Sequence, residues 1–305
     1  MERQTIFVNT QRPLSPKQRA ILSQLHQYWY LLPEQVEKLN WKGKALTTAK
    51  AMLKALTEED ETGRAYVETI FLPKVADKAR GRYRLAYRLG PRSLPYLRAA
   101  NLPVPKRLNN FRQPEDPMHI NHTFACNDVY INAALLDQYQ DAVRLSRFIH
   151  EKTLHLRPTR VRLPNGTTTG FALDGALFFD IVENGEEFEQ VMLLETDMGN
   201  DQEYWRNKLE KLLIYVQNDY KRDYDTTSFT FIVYSPTSDV HLANLIHWTE
   251  AFFAARGATD RALAAYFYLT NVNASITDPV TFFLSPIWHQ PFSPKLASPL
   301  EVGNG

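Results

Sequence analysis

A single cysteine, Cys126, stands in the 305 residues, so no intramolecular disulfide can close and no Cys-rich zinc site can form. A reducing compartment is the simplest setting, and zinc-finger chemistry is excluded. Long apolar runs are scarce as well: no uninterrupted stretch nears the ~18 residues that cross a bilayer. The opening residues are polar, so neither a signal peptide nor a transmembrane anchor is expected, and no membrane partner. The expectation is a cytoplasmic protein. What is present is ordinary globular material, 44% hydrophobic and 23% charged, which excludes disorder for most of the chain and is enough for two separate cores.

Net charge is almost missing, at +1, but this hides a division along the chain. Residues 1–112 carry 21 Lys and Arg against 9 Asp and Glu, a net of +12, and residues 113–305 carry 14 against 25, a net of −11. A basic domain attracts a polyanion, whereas the acidic remainder repels one except where a divalent cation neutralises a carboxylate cluster. Charge alone is also compatible with a solvated basic face.

The order of elements within the basic part favours DNA. Behind a short arm, residues 1–14, Ser15 and Pro16 give a helix start, and Ile21, Leu22, Leu25 and Tyr28 follow at helical spacing. A second helix begins at Pro33, and a third carries Met52, Leu53 and Leu56 on one face and Lys50 and Lys54 on the other. Two β-rich runs come next, joined by a connection containing Lys74, Lys78, Arg80 and Arg82. Three helices and a basic hairpin predict a winged helix over residues 15–101. In that fold the third helix enters the major groove, which makes Thr47, Thr48, Lys50 and Lys54 the candidate groove and phosphate contacts, with Arg82, Arg84 and Arg88 on the wing.

Residues 102–117, rich in Pro and Asn and without period, read as a linker. A second domain is expected over 118–289. It opens on a long helical pattern running from Met118 to about Leu145, followed by a basic excursion, LHLRPTRVRLP, with strand character. A hairpin turning at Asn184-Gly185 joins GFALDGALFFDIV to FEQVMLLE. Two further helix-strand pairs complete an α/β domain with a mixed sheet. Residues 290–305 have the composition of a loose tail.

Chemistry-bearing residues concentrate between Leu173 and Tyr215. Asp174 opens one strand, and Glu195 and Asp197 close the strand that pairs with it antiparallel, so the carboxylates converge at one end of the hairpin. Hard oxygen ligands of this kind suit Mg²⁺ or Mn²⁺, making Asp174, Glu195 and Asp197 the candidate metal ligands. On the following helix Trp205, Leu209, Leu212 and Val216 form a buried stripe, and Tyr204, Lys208, Lys211 and Tyr215 lie beside it. A lysine on that border can reach the sheet edge and stabilise charge developing on a phosphoryl group. His119, His122 and Asp128 on the domain's first helix are auxiliary candidates. Cys126 reads as a small buried hydrophobe, and His241 and His247, six apart, do not share a helix face.

Together the predicted winged helix, HTFACNDVY (122–130), LDG (173–175), LLETDMG (193–199) and KLLIY (211–215) resemble the replication-relaxation family of prokaryotic plasmids and integrated mobile elements. The resemblance runs from about Ser15 to about Phe283. It implies a winged helix joined to a restriction-endonuclease-like α/β domain of the PD-(D/E)XK superfamily. Asp174 would match the metal-binding aspartate, Glu195 the second acidic ligand, and Lys211 a lysine relocated to the helix, with Tyr215 ending the same motif. Leu173 replaces the proline before the aspartate. Asp197 occupies the position of the usual lysine, so Lys211 or Lys208 would have to supply it from the helix.

The resulting expectation is a DNA-binding protein of a plasmid or mobile element, an endonuclease or nickase using Mg²⁺ or Mn²⁺ on double-stranded DNA. A relaxase, a recombinase or a replication initiator is a candidate partner. The rival from another class is a non-catalytic accessory factor, and a third is a winged-helix transcriptional regulator.

Overall fold

The structure is a computed structural model and describes residues 13–72, 84–103, 116–183, 185–226 and 228–300. Chain contacts divide it into two compact units, residues 1–114 and 115–305.

In the first unit, α1 (Pro16–Tyr28) starts on a reciprocal cap: the Gln18 amide donates to Ser15 Oγ, and the Ser15 amide to the Gln18 side chain. Its apolar spacing buries Ile21, Leu22, Leu25 and Tyr28. Helices α2 (Pro33–Trp41) and α3 (Leu46–Leu56) follow, and α3 buries Ala49, Leu53 and Leu56 while Thr47, Thr48, Lys50 and Lys54 stay exposed. Strands β1 (Val67–Leu72) and β2 (Arg84–Leu89) pair antiparallel, and Leu31 bridges to Tyr87 from the α1–α2 connection. A short helix, α4 (Ser93–Ala99), completes the unit. Arg82 and most of the basic connection lie outside the described residues. Arg88 stands opposite Glu68 in the β1–β2 register and bonds it at 3.1 Å. The expected phosphate contact is thus already an intramolecular ion pair.

The second unit is built on a seven-stranded mixed sheet. Its strands are β3 (Val143–His150), β6 (Gly175–Glu183), β7 (Glu186–Thr196), β8 (Thr230–Tyr234), β9 (Phe267–Thr270), β10 (Trp288–His289) and β11 (Leu296–Ala297), after a separate hairpin of β4 (Thr159–Arg162) and β5 (Thr168–Phe171). The sheet order is β11-β10-β9-β8-β7-β6-β3, with β7-β8 and β8-β9 parallel and the other pairs antiparallel. The unit is therefore mixed α/β, as expected. Helix α5 (Pro117–Leu135) packs on one face with α11 (Pro279–Leu284), where Phe179 meets Phe283 and Tyr234 meets Phe282 edge to face. Helices α7 (Gln202–Asn218) and α9 (Asp239–Ala254) cover the other, over Phe178, Val191, Leu193, Phe231, Val233 and Phe267, and are followed by the short helices α8 (Tyr220–Tyr224) and α10 (Ala258–Ala262). Since β8 is covered on both faces, its sequence is a continuous buried run rather than an alternating one.

Two expectations are corrected here. The helical pattern ends at Leu135, in a 3-10 turn over Leu136–Gln138, and Val143 belongs to the sheet opposite Ile181. A β-branched residue with a strand partner at this edge outweighs the continuing apolar period. The described part of the tail is not loose: β11 pairs with β10, and Leu300 is 1% exposed with its amide donating to the Phe283 carbonyl. Asn184 lies outside the described residues; Gly185 beside it has φ +82, as a tight hairpin requires.

Candidate active site

Asp174 lies just before β6, already bonded through its amide to the Leu194 carbonyl, so the backbone ladder fixes where its carboxylate points. Glycine fits best after it: a Cβ on Gly175 would lie 2.4 Å from the Tyr130 hydroxyl, so a larger residue would displace Tyr130 or the strand. That hydroxyl donates to the Asp174 carbonyl and accepts the Glu151 amide, tying α5, β6 and α6 (Glu151–Leu156) at one point.

At the other side of the hairpin, alternation along β7 sends Glu195 toward α7 and Thr196 toward α5. The Thr196 amide donates to Asp174 Oδ2 at 2.9 Å, and its hydroxyl lies 3.3 Å from Cys126 Sγ. Glu195 meets the Lys208 ammonium through Oε1, while Oε2 is buried without a hydrogen-bond partner.

His122 links the carboxylates across α5. Its Nδ1 is 2.9 Å from Glu151 Oε2, and Nε2 is 2.9 Å from the Thr196 carbonyl and 3.2 Å from Asp174 Oδ2. All three partners are acceptors, so both ring nitrogens donate and the ring is an imidazolium. These groups open onto a cleft of about 300 Å³ whose walls include His119, Lys152, His155, Asp197 and Tyr204.

Electrostatics separate the two central carboxylates. Burial raises both, but Lys208, His122 and the Thr196 amide hold Asp174 well below the usual carboxylate range. Glu195 goes up, driven by burial and by the Asp174 charge beside it. Against its own burial, Lys208 is held above the ordinary lysine range by Glu195 and Asp174. A second cation at Glu195 Oε2 would relieve both the orphaned oxygen and the carboxylate repulsion. The donor set, hard oxygens from Asp174 and Glu195, fits Mg²⁺ or Mn²⁺.

The expected site residues divide clearly. Asp174, Glu195, Asp197, Lys208 and His122 come together. Asp197 lines the cleft, but its Oδ1 accepts from the Gly199 amide at 3.0 Å and meets His241 Nε2 at 2.9 Å, so it also secures the loop after β7. Lys211, the preferred lysine by resemblance, does not reach Glu195. Helix α7 runs back from the strand end, so three further residues carry Lys211 about 4.5 Å away along the axis. It faces a different cleft with Arg206, Asn207 and Glu210. Tyr215 lies deeper in the core, its ring tilted against that of Phe171 and its hydroxyl donating to Asp223 at 3.1 Å. Asp128 does not line the cleft, standing about 240° around α5 from His122. Cys126 is more than a small hydrophobe, with His122 and Glu151 each 3.7 Å from its sulfur.

Glu151, Lys152 and His155 were not anticipated as site residues; their sequence signal was the spacing of Glu151 and His155, four apart on what proves to be a short helix. Thr196 stood out only as part of LLETDMG, and His241 was set aside because it shares no helix face with His247.

No protein-family model matches the chain, and no curated protein matches it. Among solved structures, the restriction endonuclease FokI aligns over 77% of this chain and 40% of its own, with 14% identity and a TM-score of 0.24. The chain thus spans well under half the length of that protein, and at this score the likeness establishes no common fold. No helix of the described residues is long and apolar enough to cross a membrane.

Proposed function

We propose that the protein is a divalent-metal-dependent DNA endonuclease or nickase of a prokaryotic plasmid or mobile element, acting in the cytoplasm. In this reading the first unit is a winged helix that docks on the duplex through Thr47, Thr48, Lys50 and Lys54, and the second is a restriction-endonuclease-like domain. A relaxase, recombinase or replication initiator is the fitting partner class. The observation that carries the reading is the convergence of Asp174, Glu195 and Lys208 in one cleft, with Glu195 Oε2 buried and unpartnered.

Asp174 and Glu195 would hold the metal, which when bound polarises a phosphodiester and lowers the pKa of a water. Asp174 enters this role ionised, and the Thr196 amide aims its carboxylate. Lys208 has three donors and gives one to Glu195, which leaves others for oxygens on which negative charge builds. The His122 imidazolium, braced by Glu151, fixes Asp174 from the α5 side. Tyr204, 58% exposed at the cleft wall, offers an aromatic face to a substrate.

One feature favours the accessory-factor reading: each central carboxylate already has a protein cation, Lys208 on Glu195 and His122 near Asp174. Calorimetric titration with Mn²⁺ separates the two. A nuclease site binds the ion and loses it in Asp174→Ala and Glu195→Ala, and the wild-type chain then nicks or cuts supercoiled DNA. Absence of both binding and cleavage on DNA from the host element would leave the accessory role.

A further inference from the structure

The second unit has a net charge of −11 from residue 113 onward, yet its basic residues are not spread evenly: seven of the fourteen lie between Lys152 and Lys211. From Lys152 to Leu173 there are four Lys and Arg and no acidic residue. This stretch is the β4–β5 hairpin and its two roots. The chain enters from α6, whose Lys152 and His155 line the Asp174–Glu195 cleft, and returns through Ala172, which lines it too. The hairpin is therefore an arm rooted in the cleft wall at both ends.

Alternation gives the arm two distinct faces. Val161 and Phe171 point inward to the core beneath α7. Arg160 and Arg162 point outward, opposite Gly170 and Thr168, and Arg157 is exposed at the base. None of these three arginines has an acidic partner among the described residues. Other exposed arginines of the unit are engaged: Arg144 bonds Asp180, Arg222 bonds Asp219 and Asp223, and Arg147 and Arg261 lie over the rings of Phe178 and Phe292. Beside the arm, Arg206 and Lys211 line a second, polar cleft of about 500 Å³ with Asn165 and Thr169.

We propose that the outer face of the β4–β5 hairpin is a second DNA-backbone contact, which lays a strand across the acidic cleft. The inference rests on the nuclease reading of that cleft. Arg160 and Arg162, two residues apart on extended chain, are separated by about 6.6 Å and can each meet a separate phosphate. Uncommitted guanidinium groups on an otherwise acidic unit overcome the repulsion where the substrate must approach the carboxylates. Lys211 joins this track instead of the catalytic cleft.

The test compares the full-length protein with an Arg157→Ala, Arg160→Ala, Arg162→Ala triple variant, binding a 30-base-pair duplex of fixed sequence in EDTA between 50 and 200 mM salt. Three lost phosphate contacts lower the log-log salt slope by about 2.7, so the loss of affinity across that range is roughly 40-fold smaller than for wild type. The side chains are exposed and unpaired, so the melting temperature should not move. Arg222→Ala serves as the control and should leave the slope unchanged. A triple variant whose slope stays within half a unit of wild type, or an Arg222→Ala slope that falls by a comparable amount, overturns the arm. If metal-dependent cleavage persists alongside an unchanged slope, the arm alone fails. If the slope falls while Mn²⁺ neither binds nor supports cleavage, the contact stands and the nuclease reading fails.

Discussion

Three residues along α7 separate Lys208, whose ammonium meets the Glu195 carboxylate, from Lys211, which borders the cleft beside the hairpin. Kinetics should separate them. Lys208→Ala removes charge stabilisation at the reacting phosphate and should lower kcat about 100-fold, the scale of a lost transition-state donor. Lys211→Ala should raise KM severalfold with kcat nearly intact, and steady-state cleavage assays with saturating Mn²⁺ read both. Equal kcat losses would mean that the helix shifts in solution. His150 supports a prediction of another kind. Its Nδ1 accepts the Lys152 amide at 3.1 Å and its Nε2 bonds Asn127 Oδ1 at 3.1 Å, an arrangement that a neutral ring satisfies. Burial lowers its pKa from 6.5 to about 4, with Glu151 opposing and Lys152, His155 and His122 assisting. Between those values the unfolded chain binds a proton that the folded chain refuses. The stabilisation is thus complete above about pH 6.5 and lost as pH falls toward 4, by up to about 3 kcal/mol. Urea unfolding at pH 7 and pH 5 should show that decline, with a shallower one in His150→Gln. The carboxylates were legible because strand termini and a tight turn specify where they converge. His122 and Cys126 stood out in the sequence, but their partner Glu151 did not, since a six-residue helix between two strands has too few turns to display a period.

At the level of elements, the junction of α5, α6 and β6 is held by the absence of a side chain at Gly175. An alanine there meets the Tyr130 hydroxyl at 2.4 Å and the ring at 2.8 Å, and overpacking of this kind costs about 1–3 kcal/mol. Gly175→Ala should therefore lower the melting temperature and also impair metal binding, because the displaced Tyr130 no longer fixes the Asp174 carbonyl or the Glu151 amide. Tyr130→Phe removes the nearest atom, so the double variant should lose less than the two single losses added together, a coupling that a double-mutant cycle measures. Full additivity would mean that the strand moves aside without touching Tyr130. Strong periods and turns made α1, α3, α7, β6 and β7 readable from sequence. The C-terminal strands were not readable: β10 and β11 are two residues each, and their existence depends on pairing with β9 and each other. β3 was hidden because apolar residues continue across the end of α5, and only the partner strand β6 decides where helix gives way to sheet.

Across the whole molecule, the opposed charges of the two halves assign them different relations to a polyanion. On the proposed reading the +12 segment, residues 1–112, would hold DNA without help, whereas the −11 segment would repel it wherever no cation intervenes. The order of helices and hairpin in the first unit was legible from the sequence, but the fate of its wing arginines was not. Pairing of Arg88 with Glu68 depends on a strand register that composition does not reveal. With Arg88 engaged, the exposed face of α3 should carry a larger share of docking. Replacing Lys50 and Lys54 by alanine removes two phosphate contacts and should reduce the salt slope by about 1.8. Buried Ala49, Leu53 and Leu56 hold the helix in place, so its stability should not change. On the nuclease reading Mg²⁺ would act on the wild-type chain in two opposing ways, competing for phosphates as any counterion does and neutralising the carboxylates of the cleft. A net gain in affinity at millimolar Mg²⁺, abolished by Asp174→Ala together with Glu195→Ala, would locate the gain at the cleft. Mobility-shift titrations at three salt concentrations, with and without Mg²⁺, read both quantities. A slope indifferent to Lys50 and Lys54 would remove α3 from the docking surface, and a Mg²⁺ response that survives loss of both carboxylates would place the ion elsewhere on the chain.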